Sequence, residues 1–300
     1  MNKCEHFGHW LTNYLSHRQQ RVRLGKTMSS FSDVTSGVPQ GSVLGPYLFA
    51  VFMSTFCTID PRTKLVKYAD DATIIIPVFK FNTDDLSVVS NEVENFSSWC
   101  AEHCMTINVT SVTKVLSISL KLNVPKLPLV PNLNNVTSLK ILGLIFNCTL
   151  TWTDHFDYII SKLSKRLYVL RILKSSLSHD EMVMVFNAIF RSIMDYACQV
   201  FLKPGKSLDN RLIRVCQRAF NIFHCDKVCD KCNLCTVVER RFMLSMRLFK
   251  NAKDDDHHVL HALLPRESER SGRLILPHVR TSRRLDSFVC SCSTIYNQSL

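Results

Sequence analysis

The spacing of apolar residues changes near residue 150, and no single-class fold accommodates both halves of the chain. From Thr153 onward, Phe156, Ile159, Ile160, Leu163, Leu167 and Leu170 recur on one helical face. Ser178, with Glu181 three residues later, forms a capping-box start for a helix whose apolar face is Met182, Val185, Phe186, Ile189 and Ile193. Pro204-Gly205 breaks it, and a further helix is predicted over 209–223, where Arg211, Arg214 and Arg218 make a basic stripe. Before residue 150 the pattern is mixed. Strands are predicted at 20–24, 31–35, 65–68, 73–78, 115–119 and 139–146. Trp10, Leu11, Tyr14 and Leu15 share one helical face, 44–56 reads as a buried helix, and 83–103 has helical spacing. The expected fold class is therefore α+β followed by an all-helical region, divided as 1–150, 151–253 and a loosely ordered basic tail, 254–300.

Composition limits the classes of function. With 46% hydrophobic residues over 300 positions, the chain can bury a sizeable core, which excludes a disordered tail. The net charge of +12 is concentrated at the C-terminal end: residues 201–300 carry 18 Lys and Arg against 10 Asp and Glu, while residues 1–100 carry 9 of each. A basic region beside a neutral one suits a polyanion, and a solvated basic surface is the plainer reading. The start lacks a basic segment followed by an apolar stretch, and no run approaches a membrane span, so an intracellular protein of the nucleus or cytoplasm, without a membrane segment, is expected. Thirteen cysteines, an odd number, fit a reducing compartment, where disulfides are not expected.

The chemistry centres on Asp70-Asp71, which sit between two β-prone segments as a hairpin would place them. Adjacent carboxylates repel and raise each other's pKa, so a cation is expected nearby. Mg²⁺ (or Mn²⁺) takes a few carboxylate oxygens and keeps water and phosphates as its other ligands, which suits two-metal phosphoryl transfer. An ordinary turn, where Asp is common, is the competing reading of the pair alone. Upstream, Gly37-Val38-Pro39-Gln40-Gly41-Ser42 is a loop forced by Gly and Pro. Far downstream, Cys225, Cys229, Cys232 and Cys235 follow His224 at gaps that suit a structural Zn²⁺; buried as small apolar groups, they would need no metal.

Tyr68-Ala69-Asp70-Asp71 resembles the tetrapeptide of the polymerase hairpin in reverse transcriptases, and the run from Ser36 to Pro46 resembles that family's nucleotide and template loop. The order and separation of the two are similar to those in non-LTR (LINE, jockey-like) retrotransposons. The stretch from Trp10 to Gln19 resembles the segment before the loop. Trp99-Cys100 with Ile107-Asn108 and Thr113-Lys114, the segment from Leu139 to Leu144, and Leu150-Thr151-Trp152 with His155 resemble the elements that follow the hairpin. The resemblance implies a partial right-hand polymerase palm followed by a helical thumb. It further implies that Asp70 and Asp71 are catalytic metal ligands, Asp70 binding directly. Gly37, Pro39, Gln40 and Gly41 would line the nucleotide and template site, and Tyr68 would pack beneath the primer terminus; a hairpin core aromatic is Tyr68's plainer role. The implied partners are an RNA template, a DNA primer and deoxynucleoside triphosphates.

This sequence departs from the family in two places. A third family carboxylate belongs to a strand preceding the segment at Trp10, and neither Glu5 nor Asp33 sits in a run that resembles it. The family lysine that assists pyrophosphate departure stands as Val112, with Lys114 two residues on. Little or no polymerase activity is therefore expected of this chain by itself. A retroelement remnant that only binds nucleic acid is the alternative, and a scaffold that has borrowed the palm ranks last.

Overall fold

The computed structural model describes residues 3–78, 83–107, 113–119, 133–222, 236–279 and 281–299. Two compact units emerge, one of residues 1–113 with 127–134 and one of residues 114–126 with 135–300. The division precedes the predicted boundary at 150 for a packing reason: Leu144 is buried in the same core as Phe156 and Leu163, so its hairpin belongs with the helices.

In the first unit, α1 (Lys3–Leu15) leads into two short ribbons, β1 (Gln19–Gln20) with β4 (Ser32–Asp33) and β2 (Arg23–Leu24) with β3 (Thr27–Met28). The predicted strands at 20–24 and 31–35 are shorter than expected because Val22 leaves the ladder to bond Ser29, through both its N–H and its carbonyl. Then come α2 (Gly45–Ser54), with Pro46 in its first turn, the hairpin β5 (Lys64–Tyr68) and β6 (Asp71–Ile75), and α3 (Thr83–Glu102). Only one face of α2 is covered. Met53 is buried, while Tyr47 and Val51 stay exposed, so the helix expected to be buried is buried on one side.

The core of this unit is Met53, Phe56, Trp99 and Cys100, onto which Leu65 and Ile74 pack from one face of the hairpin. One side of α3 also satisfies the chain leaving α2. Trp99 Nε1 donates to Thr55 Oγ1 at 3.2 Å, and Asn95 Nδ2 donates to the Cys57 carbonyl at 2.9 Å. The buried Glu92 carboxylate accepts the backbone N–H groups of Ile59 and Asp60 at 3.0 and 2.8 Å. A buried charge is tolerated when hydrogen bonds replace its hydration, and here two backbone donors do so.

In the second unit, β7 (Lys114–Leu116) pairs with β8 (Asn134–Val136), and β9 (Ser138–Ile141) pairs with β10 (Leu144–Asn147). The single strand predicted at 139–146 is thus a hairpin. It turns at Leu142 (φ 46) and Gly143 (φ 87), where Tyr196 Oη donates to the Leu142 carbonyl at 2.6 Å. Helices follow: α4 (Thr153–Leu173), α5 (His179–Phe186), a π turn at Asn187–Arg191, α6 (Ser192–Asp195), a 3₁₀ turn at Cys198–Phe201, α7 (Lys206–Ile222) and α8 (Val237–Asp254). The Ser178–Glu181 capping box forms as its spacing predicts. Arg241 of α8 is buried, pairs with Asp209 of α7 at 2.8 Å and lies over the rings of Phe156 and Phe201.

The C-terminal segment differs from the loose order expected of 254–300. After α9 (Ser282–Leu285), α10 (Phe288–Ser299) lays Phe288 and Tyr296 against Phe249 of α8 and buries Cys292. The Asn297 side chain bonds both the N–H and the carbonyl of Leu274. Phe288, Cys292 and Tyr296 stand four residues apart, an apolar stripe that cysteine disguises.

His155 sits in the second core. Its Nδ1 accepts from Ile145 N–H at 3.4 Å, and its Nε2 is buried without a partner among the described residues. Burial pushes the imidazole down from 6.5 to about 4. An unfolded chain would take up a proton near pH 6.5 that the folded one refuses until about pH 4, so stability falls as pH drops through that window. The full effect is about 3 kcal/mol. Thermal melts at neutral and acidic pH should show this loss, and His155→Gln should flatten it. In the first unit, Glu92→Ala removes the charged acceptor of two backbone donors and should cost about 3 kcal/mol. Hydrogen exchange at the amides of Ile59 and Asp60 should quicken accordingly; unchanged protection would mean that other contacts hold this loop.

Candidate active site

The hairpin tip carries the two aspartates. Tyr68 pairs directly with Asp71, which leaves Ala69-Asp70 as a two-residue turn. Ala69 adopts φ 50, a left-handed conformation that costs an L-residue with a Cβ roughly 1–2 kcal/mol. Such strain persists only where neighbouring structure enforces it. Here Lys67 provides the restraint: its ammonium donates to the carbonyls of Met53 and Phe56 at 2.7 and 2.9 Å, at the C-terminal end of α2. The Met53 carbonyl also accepts from Phe56 N–H at 3.3 Å, and a cation at this helix end is favoured by the helix dipole.

Strand alternation separates the two faces. Leu65, Lys67, Ala72 and Ile74 turn toward the helices, while Val66, Tyr68, Asp71 and Thr73 share the opposite face by register. Val66 and Tyr68 are exposed on that face, as are both Asp70 and Asp71 at the tip. Neither carboxylate has a hydrogen-bond or ion-pair partner among the described residues. A group of three or more metal-ligating side chains is also absent among them. Asp33, one of the two upstream acids, is occupied in the β1–β4 ribbon, where Gln19 Nε2 donates to it at 2.8 Å. Beside the tip, a recess of about 420 Å³ is lined by Pro46, Phe49, Met53, Lys67, Tyr68 and Ala69, among others.

The Gly37-Val38-Pro39-Gln40-Gly41 loop leads into α2. Gly37 and Gly41 have φ of +82 and +77, and open space surrounds the position of any Cβ, so both are glycine for backbone reasons and both leave the loop unobstructed. Gln40 is exposed and Pro39 half-buried. Ser42 Oγ donates to the Pro39 carbonyl at 2.7 Å and accepts from Gly45 N–H at 3.0 Å. A Cβ on Gly45 would stand 2.8 Å from that same carbonyl, so the turn into α2 requires glycine. The structure thus brings Tyr68, Asp70 and Asp71 together on one tip, while Gly37, Pro39, Gln40 and Gly41 form a separate loop at the start of α2 and do not line the recess. Cys225, Cys229, Cys232 and Cys235 lie outside the described residues, as does Val112.

Two positioning residues were not singled out from the sequence. Lys67 had one signal, an inward register position in an alternating strand. Arg18 had none that separates it from Arg21 or Arg23. Its Nε donates to the Leu15 carbonyl at 3.1 Å, its Nη2 donates to the Gly37 carbonyl at 2.5 Å, and its own carbonyl accepts from Val34 N–H. A single guanidinium therefore ties the end of α1 to the loop.

Residues 1–146 match the family described as reverse transcriptase (RNA-dependent DNA polymerase). The relatives to which the chain is similar are polymerases of transposable elements. The chain is 27% identical over 218 residues to a probable RNA-directed DNA polymerase from transposon X-element of Drosophila melanogaster, covering 68% of this chain and 23% of the relative. It is 27% identical over 216 residues to the RNA-directed DNA polymerase from mobile element jockey of the same species, covering 68% and 23%. Against a retrovirus-related Pol polyprotein from a type-1 retrotransposable element of Bradysia coprophila, the identity is 22% over 284 residues, covering 91% and 26%. The chain spans about a quarter of the length of these curated relatives. No solved structure matches it. No helix among the described residues is long and apolar enough to cross a membrane.

Arg18→Ala should release the loop. Amide exchange over residues 36–42 is expected to rise about tenfold, from the loss of roughly 1.5 kcal/mol of charge-assisted bonding. Unchanged exchange would mean that the Ser42 turn holds the loop unaided.

Proposed function

We propose that this chain is the palm and thumb portion of an RNA-directed DNA polymerase of a non-LTR retrotransposon, adding deoxynucleotides to a primer on an RNA template. The observation that carries this reading is the tip itself, where two carboxylates without a partner among the described residues stand together beside a turn held in a strained conformation. Two like charges held adjacent repel each other, and a bound cation would relieve that repulsion. Their hard oxygens fit Mg²⁺, with Asp70 and Asp71 as its protein ligands, and a divalent ion bound there would neutralise charge on a triphosphate in transfer. Asp70, in the turn, presents its carboxylate beyond the strand ends. Asp71 is held in the ladder opposite Tyr68, which aligns the pair with the hairpin axis. Tyr68 would support a primer end beside the recess, and the loop from Gly37 to Gly41 would present open backbone to template and nucleotide.

A second reading is favoured by one observation: among the described residues no third acid joins the aspartate pair. In that reading the chain binds nucleic acid without catalysis. In both readings the helical unit is the thumb and the basic C-terminal residues lie against phosphates.

Primer extension on an RNA template with Mg²⁺ decides between them, using this chain, its Asp70→Asn variant and a version extended upstream at the source locus. Activity in the extended version, reduced at least a thousandfold by Asp70→Asn, is the expected result, since a charged metal ligand contributes several kcal/mol to the transition state. Extension that survives Asp70→Asn would overturn the assignment of the site. Salt-sensitive binding with no extension by any version would establish the second reading.

A further inference from the structure

One hydrogen bond in the second unit has backbone strain on both sides of it. Ile141 pairs directly with Leu144, so Leu142-Gly143 is a two-residue hairpin turn, and φ is positive at both positions. That is the primed turn that hairpins favour and that Asn-Gly or Gly-Gly supplies without strain. Leucine in a left-handed conformation is an outlier, and its side chain here is exposed, so no packing of its own holds it there. The other side of the bond shows the same pattern. Helix α6 ends at Asp195, Tyr196 is extended with ψ 117, and Ala197 is left-handed with φ 49 before the 3₁₀ turn at Cys198–Phe201.

Tyr196 joins the two. Its hydroxyl donates to the Leu142 carbonyl at 2.6 Å, and its ring lies on Gly143, where a Cβ would stand 3.0 Å from Cε1. Leu144 on one side and Met194, Cys198 and Phe201 on the other are buried in one core, which fixes the chain around both strained points. Leu142 and Tyr196 lie outside that core, at the surface, and meet only each other's segment there. Strain of this kind persists only while neighbouring groups enforce it. Loss of the phenol contact therefore lifts the restraint from both segments: the turn is free to leave the primed geometry, and Ala197 is free to leave the left-handed region.

We propose that Tyr196 is a latch that makes the β9–β10 turn and the junction between α6 and the 3₁₀ turn open and close as a single unit. The unit has two arrangements, latched with both segments strained and released with both relaxed. A contact that favours one arrangement at the turn favours the same one at the junction, 54 residues along the chain. Asp195, beside the latch, is paired with Arg240 at 3.1 Å, which brings α8 to the same point. The latch belongs to the helical unit and stands whether or not the chain polymerises nucleotides.

The test is amide exchange of the full chain, read by mass spectrometry over residues 139–146 and 196–202. Tyr196→Phe keeps the ring and removes the donor. It should quicken exchange about fivefold in both segments, by equal factors, because one opening serves both. Ala197→Gly removes the strain at the junction and leaves the phenol in place. It should slow exchange about threefold in both segments, including the turn that it does not touch. A change confined to the turn in the first variant, or to the junction in the second, would show that the segments open separately and would end the proposal, as would unchanged exchange in Tyr196→Phe. Amides of α4 from Ile159 to Leu170 serve as the control. If Tyr196→Phe quickens those as well, the whole helical unit has loosened, and Ala197→Gly alone decides, since it removes no bond and opens no buried cavity.

Discussion

Lys67 is the pivot of the first unit. A lysine on the inward face of a strand would be costly in an apolar core. Here it reaches past that core to two carbonyls, those of Met53 and Phe56, at the end of α2. The helix end gains a cation, the lysine gains acceptors, and the hairpin gains a fixed attachment a few ångströms from its tip. Leu65 and Ile74 fix the rest of the strand pair on the same core. The strained turn at Ala69 is sustained because the residues before it cannot shift to relieve it.

The second unit is organised around polar groups buried among aromatics. His155 and Arg241 both border the Phe201 ring, one as a neutral imidazole and the other as a guanidinium paired with Asp209. Each also has a buried nitrogen without a conventional partner among the described residues, His155 Nε2 and Arg241 Nη2. The π-face of a ring accepts weakly from such donors, and the density of rings here, with Trp152 and Phe156 also in contact, fits that role. A core of this kind is more selective than a purely aliphatic one, because few other packings would bring donors and rings into register.

The elements that the sequence revealed are those written in period. The face of α4, the capping box at Ser178 and the hairpin flanking Asp70-Asp71 follow from spacing that any packing partner would read the same way. Elements set by a partner were harder to read. The turn at Leu142 has no turn-forming residue except Gly143, and depends on a tyrosine 54 residues away. The stripe of α10 is built on cysteine, whose apolar character a hydropathy pattern understates. The same holds at the site. Asp70, Asp71, Tyr68 and the loop glycines announce themselves as motifs. Lys67 and Arg18 act through backbone carbonyls of other segments, and a carbonyl leaves no mark in a sequence.

The left-handed alanine before Asp70 has a consequence for how this hairpin could have arisen. Glycine, which adopts that conformation without a steric penalty, is a single base change from every alanine codon, so relief has always lain within easy mutational reach. Glycine would also widen the range of shapes open to the turn, and the carboxylate that follows would sample them all. The methyl group thus narrows the directions in which the chain can present an acid. A tip assembled in this way trades some folding energy for aim.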